Sequence, residues 1–322
     1  MRLSPQRSRT WLARFVAVLT LGLAVSLALT GSAAAQPSFF AAIPNPIGVV
    51  YAPSHVLVTT YCTVGTAVTK PVFAIDPQGD VSVFAEVPAG APGCTEDYIA
   101  VSPGGLPHWP ANRAYVEAGA NVYEIDPNGN VSLFITSGCG VTHNSITFDE
   151  IGLFGYRMLV TCNTGPTIAV DHDGTITPVG SFPAGVEGTD VAPLTFGAAG
   201  GYLFAAQEST GNVYAMSPAG TVTTFGNYPF AEAVRFIPTN VCEFAGTNGA
   251  FFAAIFPTHI DKYPQSDFTA FGGNAVVTSE FALSLGLLTP AGGAATPLQP
   301  ATGQIEGSGF VDFSRGCRFN KK

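Results

Sequence analysis

Charge is scarce in this sequence, and no long segment repeats with the 3.6-residue period of an amphipathic helix. Asp, Glu, Lys and Arg make up only 11% of the 322 residues. There is no glycine-rich phosphate loop, and Gly307-Ser308-Gly309 does not complete the GxSxG motif of a serine hydrolase. These absences argue against helical bundles, nucleotide-binding α/β domains and α/β-hydrolases. Gly and Pro are plentiful instead, which favours short strands joined by tight turns.

Basic residues are especially scarce after the N-terminus. Residues 1–35 contain four arginines and no acidic residue, so without them the net charge falls from −9 to −13. An acidic chain repels the phosphates of nucleic acids, and no nucleic-acid partner is expected. No segment after residue 35 is apolar over the roughly 20 residues that a membrane span requires.

The N-terminal segment has the three parts of a signal peptide. The four arginines precede an uncharged apolar run at residues 15–29, and Ala33-Ala34-Ala35 forms a small-residue cleavage site. We predict cleavage after Ala35 and secretion, to the extracellular space or the periplasm, of residues 36–322 as a single domain. An uncleaved anchor helix is the alternative, but the apolar run is short for that role.

An eight-residue motif recurs along the rest of the chain. VFAIDPQG at residues 72–79 returns as VYEIDPNG at 122–129, TIAVDHDG at 167–174, VYAMSPAG at 213–220 and LGLLTPAG at 285–292. An alternating strand follows each copy, and two further strands precede it. The first four turn glycines are 50, 45 and 46 residues apart, which is the length of a propeller blade. The sequence therefore predicts an all-β fold, a β-propeller with four antiparallel strands (A to D from the centre outwards) in each blade.

The spacing of the last repeat leaves the number of blades open. Gly292 lies 72 residues after Gly220, and the surplus falls in residues 240–272. We favour six blades, with AFFAAIF and HIDKY as strands of a degenerate fifth blade; five blades with a long insertion is the alternative. Residues 305–313 resemble a strand A with no strands after it. We expect them to complete a blade begun at the N-terminus, which closes the ring and removes the open sheet edges.

Repeats of the form VYxIDPxGxVxxF, each preceded by a strand and a small-residue loop, resemble those of NHL-repeat, streptogramin lyase and gluconolactonase-like propellers. The resemblance covers nearly the whole chain after residue 35 and rests on turn and core residues. It implies a scaffold that supports lactone hydrolysis, lyase chemistry and plain binding alike. It also implies a metal in the central channel, since gluconolactonase-like propellers hold one there with carboxylate and amide side chains.

Seven of the 11 glutamates recur at two positions that a propeller places on one face, around the mouth of the channel. Where strand A begins, the chain has Glu96, His143 with Asn144, Glu187, Glu232 and Glu306. At the end of strand B it has Glu117, Glu208 and Glu280. Converging carboxylates repel one another unless they are protonated or neutralised, so Ca²⁺ or another divalent cation is the candidate cofactor. Its candidate ligands are Glu96, Asn144, Glu187, Glu232 and Glu306. The alternative is that these glutamates bind backbone amides between blades.

His143 is the one histidine at such a position, and it is the candidate catalytic residue. Beside a bound cation it could act as a general base in a hydrolase or lyase that attacks a small ester or lactone. No complete catalytic set is visible, so we favour a secreted, non-catalytic protein that binds a small molecule or a protein partner at the channel face. The metal-dependent enzyme is the alternative. In either case we expect a monomer.

The six cysteines of an exported chain are expected to form disulfides. On the predicted strands, four of them lie on the channel-mouth face in two neighbouring pairs. The other two each follow a strand A and lie on the opposite face. We therefore predict three disulfides, Cys62–Cys94, Cys139–Cys162 and Cys242–Cys317.

Overall fold

Strands and tight turns make up nearly all of the secondary structure. The computed structural model describes residues 36–61, 68–89, 95–140, 143–244 and 246–311. Within these ranges, helical structure is confined to the short 3-10 turns Gly197–Ala199, Gln265–Asp267 and Thr269–Phe271. No helix in the described ranges is long and apolar enough to cross a membrane. The predicted all-β composition is confirmed.

The first strand, β1 (Ser38–Ala42), lies at the outer edge of a blade whose other strands come much later in the chain. The strands after it form four blades in chain order, with the first strand of each innermost and the last outermost. Blade 1 contains β2 (Pro46–Ala52), β3 (His55–Thr60), β4 (Thr69–Ile75) and β5 (Val81–Pro88). Blade 2 contains β6 (Ile99–Val101), β7 (Ala114–Ala118), β8 (Asn121–Ile125) and β9 (Val131–Thr136). Blade 3 contains β10 (Ser145–Phe148), β11 (Met158–Thr161), β12 (Pro166–Val170) and β13 (Ile176–Ser181). Blade 4 contains β14 (Glu187–Val191), β15 (Leu203–Gln207), β16 (Asn212–Met216) and β17 (Val222–Asn227).

The last two blades are interleaved along the chain. The chain forms β18 (Ala231–Phe236), the inner strand of blade 5, and then crosses to blade 6 to form its middle strands, β19 (Phe251–Phe256) and β20 (His259–Tyr263). It returns to complete blade 5 with β21 (Ala275–Ser279), β22 (Ser284–Leu288) and β24 (Thr296–Pro300). The two-residue β23 (Gly293–Ala294) pairs in parallel with β17 of blade 4. Finally, β25 (Gln304–Phe310) becomes the inner strand of blade 6, which β1 completes at the outer edge.

Six blades are therefore confirmed, and the C-terminal strand closes the ring in the same blade as the N-terminal strand. The expectation of a contiguous, degenerate fifth blade was wrong. Residues 240–272 are an insertion in blade 5, and they supply the middle of blade 6. The physical reason lies in β19, whose residues are buried along nearly the whole strand. Such a strand needs a partner on each edge, and β20 and β25 provide them.

The repeated motif forms the turn between strands C and D. In blade 2, Oδ1 of Asp126 accepts hydrogen bonds from the N–H groups of Asn128 and Asn130, at 2.8 and 2.9 Å. Gly129 follows with a φ of 84°, and a Cβ there would collide with the carbonyl oxygen of Phe84 in blade 1. Both the positive φ of this residue and the close approach of the preceding blade thus require glycine.

Apolar side chains fill the space between neighbouring blades. Between blades 4 and 5, for example, Phe196, Phe204 and Phe236 pack edge to face, with ring centroids 4.9 to 5.4 Å apart. Each inner strand contacts the inner strands of the two neighbouring blades and thereby lines the channel. Because every inner strand begins at the same face, one position per blade becomes a ring of side chains at the channel mouth.

Candidate metal centre at the channel mouth

Four carboxylates and one imidazole converge where the inner strands begin. Three of the carboxylates lie within the first three residues of an inner strand: Glu187 in β14, Glu232 in β18 and Glu306 in β25. The other two groups, Glu96 and His143, lie in the loops that lead to β6 and β10. One ligand atom each from Glu96, His143 and Glu187 lies within 4.8 Å of the others. The same holds for Glu96, Glu232 and Glu306. The structure thus brings five of the predicted site residues into one cluster, which we call the mouth cluster.

His143 lies between two of the carboxylates. Its Nδ1 atom is 3.4 Å from Oε1 of Glu187 and 3.5 Å from Oε2 of Glu96. The hydrogen bond to Glu187 raises the pKa of the imidazole, against the opposing effect of burial. About a third of the His143 side chain remains exposed. The ring is therefore oriented by carboxylates on one nitrogen while it stays open to the solvent side of the cluster.

Tyr98 lies beneath the cluster and holds two of its members. The buried hydroxyl is 2.7 Å from Oε1 of Glu232 and 3.1 Å from the carbonyl oxygen of Glu306. Burial and the nearby carboxylates raise the pKa of Tyr98 well above its usual value, so the hydroxyl keeps its proton and can donate it to one of these oxygens. The sequence offered a weak signal for this role, because Tyr98 is two residues after Glu96 in the segment just before β6.

Gln304 is a second functional residue that the sequence reasoning missed. Its Nε2 atom is 2.5 Å from Oε1 of Glu280 and 2.5 Å from Oε1 of Glu306. It therefore connects the carboxylates at the start of strand A with those at the end of strand B. Glu208 joins this outer group through a hydrogen bond with Glu280. β25 has a bulge at Glu306, so regular strand alternation could not have predicted this contact.

Burial and mutual repulsion make it unfavourable for all the glutamates of the mouth cluster to be ionised at once. Burial, followed by repulsion from Glu187 and Glu306, raises the pKa of Glu96 to about 10. Burial, together with repulsion from Glu187, raises the pKa of Glu306 to about 7, although the hydrogen bond from Gln304 opposes the shift. Burial, together with the neighbouring Glu208 and Glu306, raises the pKa of Glu280 to about 9. The pKa of the fully buried Glu232 is raised well above its usual value. These carboxylates must therefore be protonated or neutralised by a cation.

The donor set of the mouth cluster fits a hard divalent cation. Carboxylate oxygens from four blades are the ligands that Ca²⁺, Mg²⁺ and Mn²⁺ prefer. Oε2 of Glu96 is buried and accepts no hydrogen bond, with Nδ1 of His143 as its 3.5 Å neighbour. Among the described residues, no lysine or arginine forms an ion pair with these carboxylates. An unsatisfied buried oxygen and a surplus of like charge are the features that a bound cation would satisfy.

Two predicted residues turn away from the mouth cluster and bind each other. Nδ2 of Asn144 lies 2.9 Å from Oε1 of the buried Glu117 and 3.0 Å from the carbonyl oxygen of Gly119. Oδ1 of Asn144 accepts a hydrogen bond from the N–H of Asn163 at 3.0 Å. With both ends of its amide engaged in this way, Asn144 is not placed among the cluster residues. The interaction links blades 2 and 3 instead.

At the position in blade 2 equivalent to Asn144 there is a carboxylate, Asp97, whose counterion comes from blade 1. Asp97, rather than Glu96, pairs with Asn144 across the inner strands. Oδ2 of Asp97 lies 3.1 Å from Nζ of Lys70, and that ammonium also donates to the carbonyl oxygen of Thr95 at 2.6 Å. Burial raises the pKa of Asp97 to about 6, although Lys70 opposes the shift. The sequence reasoning missed Lys70, a lone basic residue at the start of an apolar strand.

One predicted disulfide is present next to the mouth cluster. Cys139 and Cys162 are bonded, with their Cα atoms 5.2 Å apart, and they tie the loop before His143 to the end of β11. Cys242 is also disulfide-bonded, and its predicted partner Cys317 lies outside the described residues. The predicted pair Cys62–Cys94 lies outside them as well.

Solved structures with a similar arrangement include propellers of several kinds. A protein of unknown function from Bacteroides thetaiotaomicron has a TM-score of 0.50 and 11% identity, covering 85% of this chain and 67% of that chain. A gluconolactonase from Xanthomonas campestris has a TM-score of 0.49 and 12% identity, covering 84% and 80%. A streptogramin B lyase structure has a TM-score of 0.44 and 15% identity, covering 83% and 88%. No protein-family model matches the chain, and no curated protein matches it either.

These similarities concern the fold alone, since the identities are far below the level at which function follows. The fold and the site together define a class: a six-bladed β-propeller whose channel mouth carries a cluster of acidic residues that could hold a metal.

Proposed function

We propose that this protein is a divalent-cation-dependent hydrolase or lyase that acts on a small ester or lactone at the mouth of its channel. One observation carries the proposal, the pair of ligand groups that share Glu96. Its carboxylate lies within 4.8 Å of His143 and Glu187 in one group and of Glu232 and Glu306 in the other, and its buried Oε2 atom is unsatisfied. A site of this kind supplies both a place for a cation and a group that transfers protons.

The carboxylates of Glu96, Glu187, Glu232 and Glu306 would hold the cation, with Tyr98 keeping Glu232 in place. Ca²⁺ is the first candidate, because it accepts many carboxylate oxygens in flexible geometry. When bound, such a cation polarises a carbonyl group as a Lewis acid. The side chains of Gln304 and Glu280 border the open side and can accept or donate hydrogen bonds to a polar ligand.

His143 would move the proton. Its Nδ1 faces Glu96 and Glu187, which orients the ring and leaves Nε2 for the substrate side. With the carboxylates free, their charge favours the imidazolium form, which is a proton donor. With those carboxylates holding a cation, the pKa of His143 would fall towards its ordinary value, and Nε2 would be able to accept a proton at neutral pH.

A non-catalytic binding protein is the second candidate, and the same histidine favours it. An imidazole held between two carboxylates is more readily protonated than a free one, so it is a poor base until a cation is bound. Such a site could bind a small molecule or a protein without converting it. Secretion after cleavage at Ala35, and the monomeric state, remain predictions.

The test is turnover of a panel of simple esters and lactones by the purified protein, with Ca²⁺ or Mn²⁺ and with a chelator. We expect cation-dependent turnover of at least one compound, and its loss in His143→Asn. His108→Asn is the matched control, because His108 is exposed on another loop and, like His143, has a positive φ that Asn tolerates. Cation binding without any turnover would favour the second candidate, a non-catalytic binding protein. Turnover that neither the chelator nor His143→Asn changes would exclude the proposed enzyme.

A further inference from the structure

Three large apolar side chains are exposed together in blade 5. Phe230 precedes β18, and Phe281 and Leu283 lie in the turn between β21 and β22; their exposed fractions are 47%, 54% and 49%. The rings of Phe230 and Phe281 pack edge to face with centroids 5.6 Å apart. We call these three residues the apolar shelf. Exposed apolar groups that lie singly are ordinary, but a contiguous set bordered by polar residues marks a binding surface.

The apolar shelf is continuous with the mouth cluster. The N–H of Glu280 donates to the carbonyl oxygen of Phe230 at 3.0 Å, so the shelf and the outer carboxylates share one turn. Glu280 is the residue before Phe281, and Gln304 connects its carboxylate to Glu306. Glu232, in the cluster itself, is two residues after Phe230. A ligand that reached the carboxylates through this side of the channel mouth would lie against the shelf.

The backbone at the shelf is also in an unfavourable conformation. Phe230 has a φ of 53° and Leu283 a φ of 49°, a region that bulky residues rarely adopt. Residues held in this way persist where the surroundings or a function require them. Both side chains are about half exposed, and a bound ligand offers a reason for the exposure and the backbone conformation together.

We infer that the site takes an ester or lactone with an aromatic or similarly large apolar substituent, which lies on Phe230, Phe281 and Leu283 while its carbonyl group faces the mouth cluster. This inference rests on the proposed function and names its substrate class. A sugar lactone, whose hydroxyl groups would be placed against three apolar side chains, fits less well. Covering one ring on such a surface strengthens binding about 10-fold or more.

The test uses binding rather than turnover, so that it does not depend on catalysis. The probes are the ring-opened hydroxy acids of dihydrocoumarin, which has a fused benzene ring, and of δ-valerolactone, which has none. Opening either lactone with water breaks the acyl C–O bond and leaves a carboxylate and a hydroxyl group. Saturation-transfer NMR in the presence of Ca²⁺ measures the affinity of each probe for the full chain. We expect about 10-fold tighter binding of the aromatic acid.

The matched variants are Phe230→Asn with Phe281→Ser, and Phe39→Ser alone. Asn is suited to the positive φ at residue 230, and Phe39 is an exposed phenylalanine on β1 at the outer edge of blade 6. The aromatic preference should fall to within about twofold in the double variant and stay unchanged in Phe39→Ser. Calorimetry with Ca²⁺ should show the same cation affinity in all three proteins.

The possible outcomes separate this inference from the proposed function. Cation binding and turnover without any aromatic preference would overturn the shelf and leave the proposed function intact. The protein could instead bind no cation and still show an aromatic preference that the double variant removes. That result would support the shelf and overturn the proposed function. If the protein proves to be a dimer that the double variant dissociates, the shelf is a contact between two copies, and the inference fails.

Discussion

Two groups of buried carboxylates lie near the axis of this propeller, and the chain neutralises only one of them. Asp97 has Lys70 at 3.1 Å, and both side chains are about 3% exposed. The carboxylates of the mouth cluster face one another and His143, and within the described residues none of them has a lysine or arginine as an ion-pair partner. A buried charge that comes with its own counterion belongs to the fold. Buried like charges without one must be protonated or neutralised by a cation from outside the chain.

Two adjacent residues, Glu96 and Asp97, belong to different groups of buried carboxylates. Glu96 and Asp97 lie in the same short segment before β6, yet Glu96 points into the mouth cluster and Asp97 points to Lys70 on blade 1. One loop thus serves both the cohesion of blades 1 and 2 and the candidate site. The comparison predicts that the two groups respond differently to loss of a lysine, to added cation and to pH.

The largest expected effect is at the internally neutralised pair. Lys70→Met leaves Asp97 buried without a counterion, which should lower the free energy of unfolding by about 3–5 kcal/mol. Adding Asp97→Asn to that variant should restore part of the loss, because the uncompensated charge is then gone. Urea unfolding of the two variants measures both values. Equal stability of the wild type and Lys70→Met would show that the pair contributes nothing.

Added cation should act on the mouth cluster alone. Ca²⁺ at 100 times its Kd should stabilise the wild type by about 2.7 kcal/mol, seen as a raised Tm. Glu187→Gln combined with Glu306→Gln should abolish this shift while preserving the fold, because the two residues belong to different ligand groups of the cluster. Glu86→Gln, an exposed glutamate on the outer strand of blade 1, is the control and should keep the full shift. A shift that survives the double variant would place the cation elsewhere.

The smallest expected effect is the dependence of that cation shift on pH. The folded-state pKa values of Glu306 and Glu280, about 7 and about 9, lie above those of an unfolded chain. Without a cation, the folded protein therefore binds more protons than the unfolded one, and its stability falls as pH rises from about 4.5 through those values. Protons and cation compete, so the cation should stabilise more at pH 8 than at pH 5, by up to about 1.4 kcal/mol per tenfold change in affinity. Melting curves at both pH values measure it; a larger shift at pH 5 would contradict the competition.

The fold was predictable because its signal is repeated. The motif from Val122 to Gly129 encodes a turn through Asp126 and a glycine that a carbonyl oxygen of the preceding blade forces to lack a side chain. A backbone carbonyl of a neighbouring blade approaches Gly79, Gly220 and Gly292 in the same way. The interleaving of blades 5 and 6 was not predictable, because β19 and β20 carry no such turn between them and their partners are remote in sequence.

The sequence allowed us to predict which residues surround the channel mouth, but not which partner each side chain contacts. The recurrence of glutamates where strand A begins follows from blade geometry, and Glu187, Glu232 and Glu306 each lie near Glu96 in one of the two ligand groups. The local direction of each side chain depends on partners from other blades. Asn144 therefore binds Glu117 instead of joining the cluster, and Tyr98 supplies a hydrogen bond that no repeat announces.

The most direct test of an external counterion is anomalous diffraction from crystals of the protein soaked in Mn²⁺. We predict one strong peak at the channel mouth, within about 2.6 Å of carboxylate oxygens from Glu96, Glu187, Glu232 and Glu306, and no peak in crystals of the Glu187→Gln, Glu306→Gln variant. A channel mouth without a peak in the wild type, with Glu232 still on Tyr98 and Glu306 still on Gln304, would contradict the claim that these carboxylates are arranged for a cation.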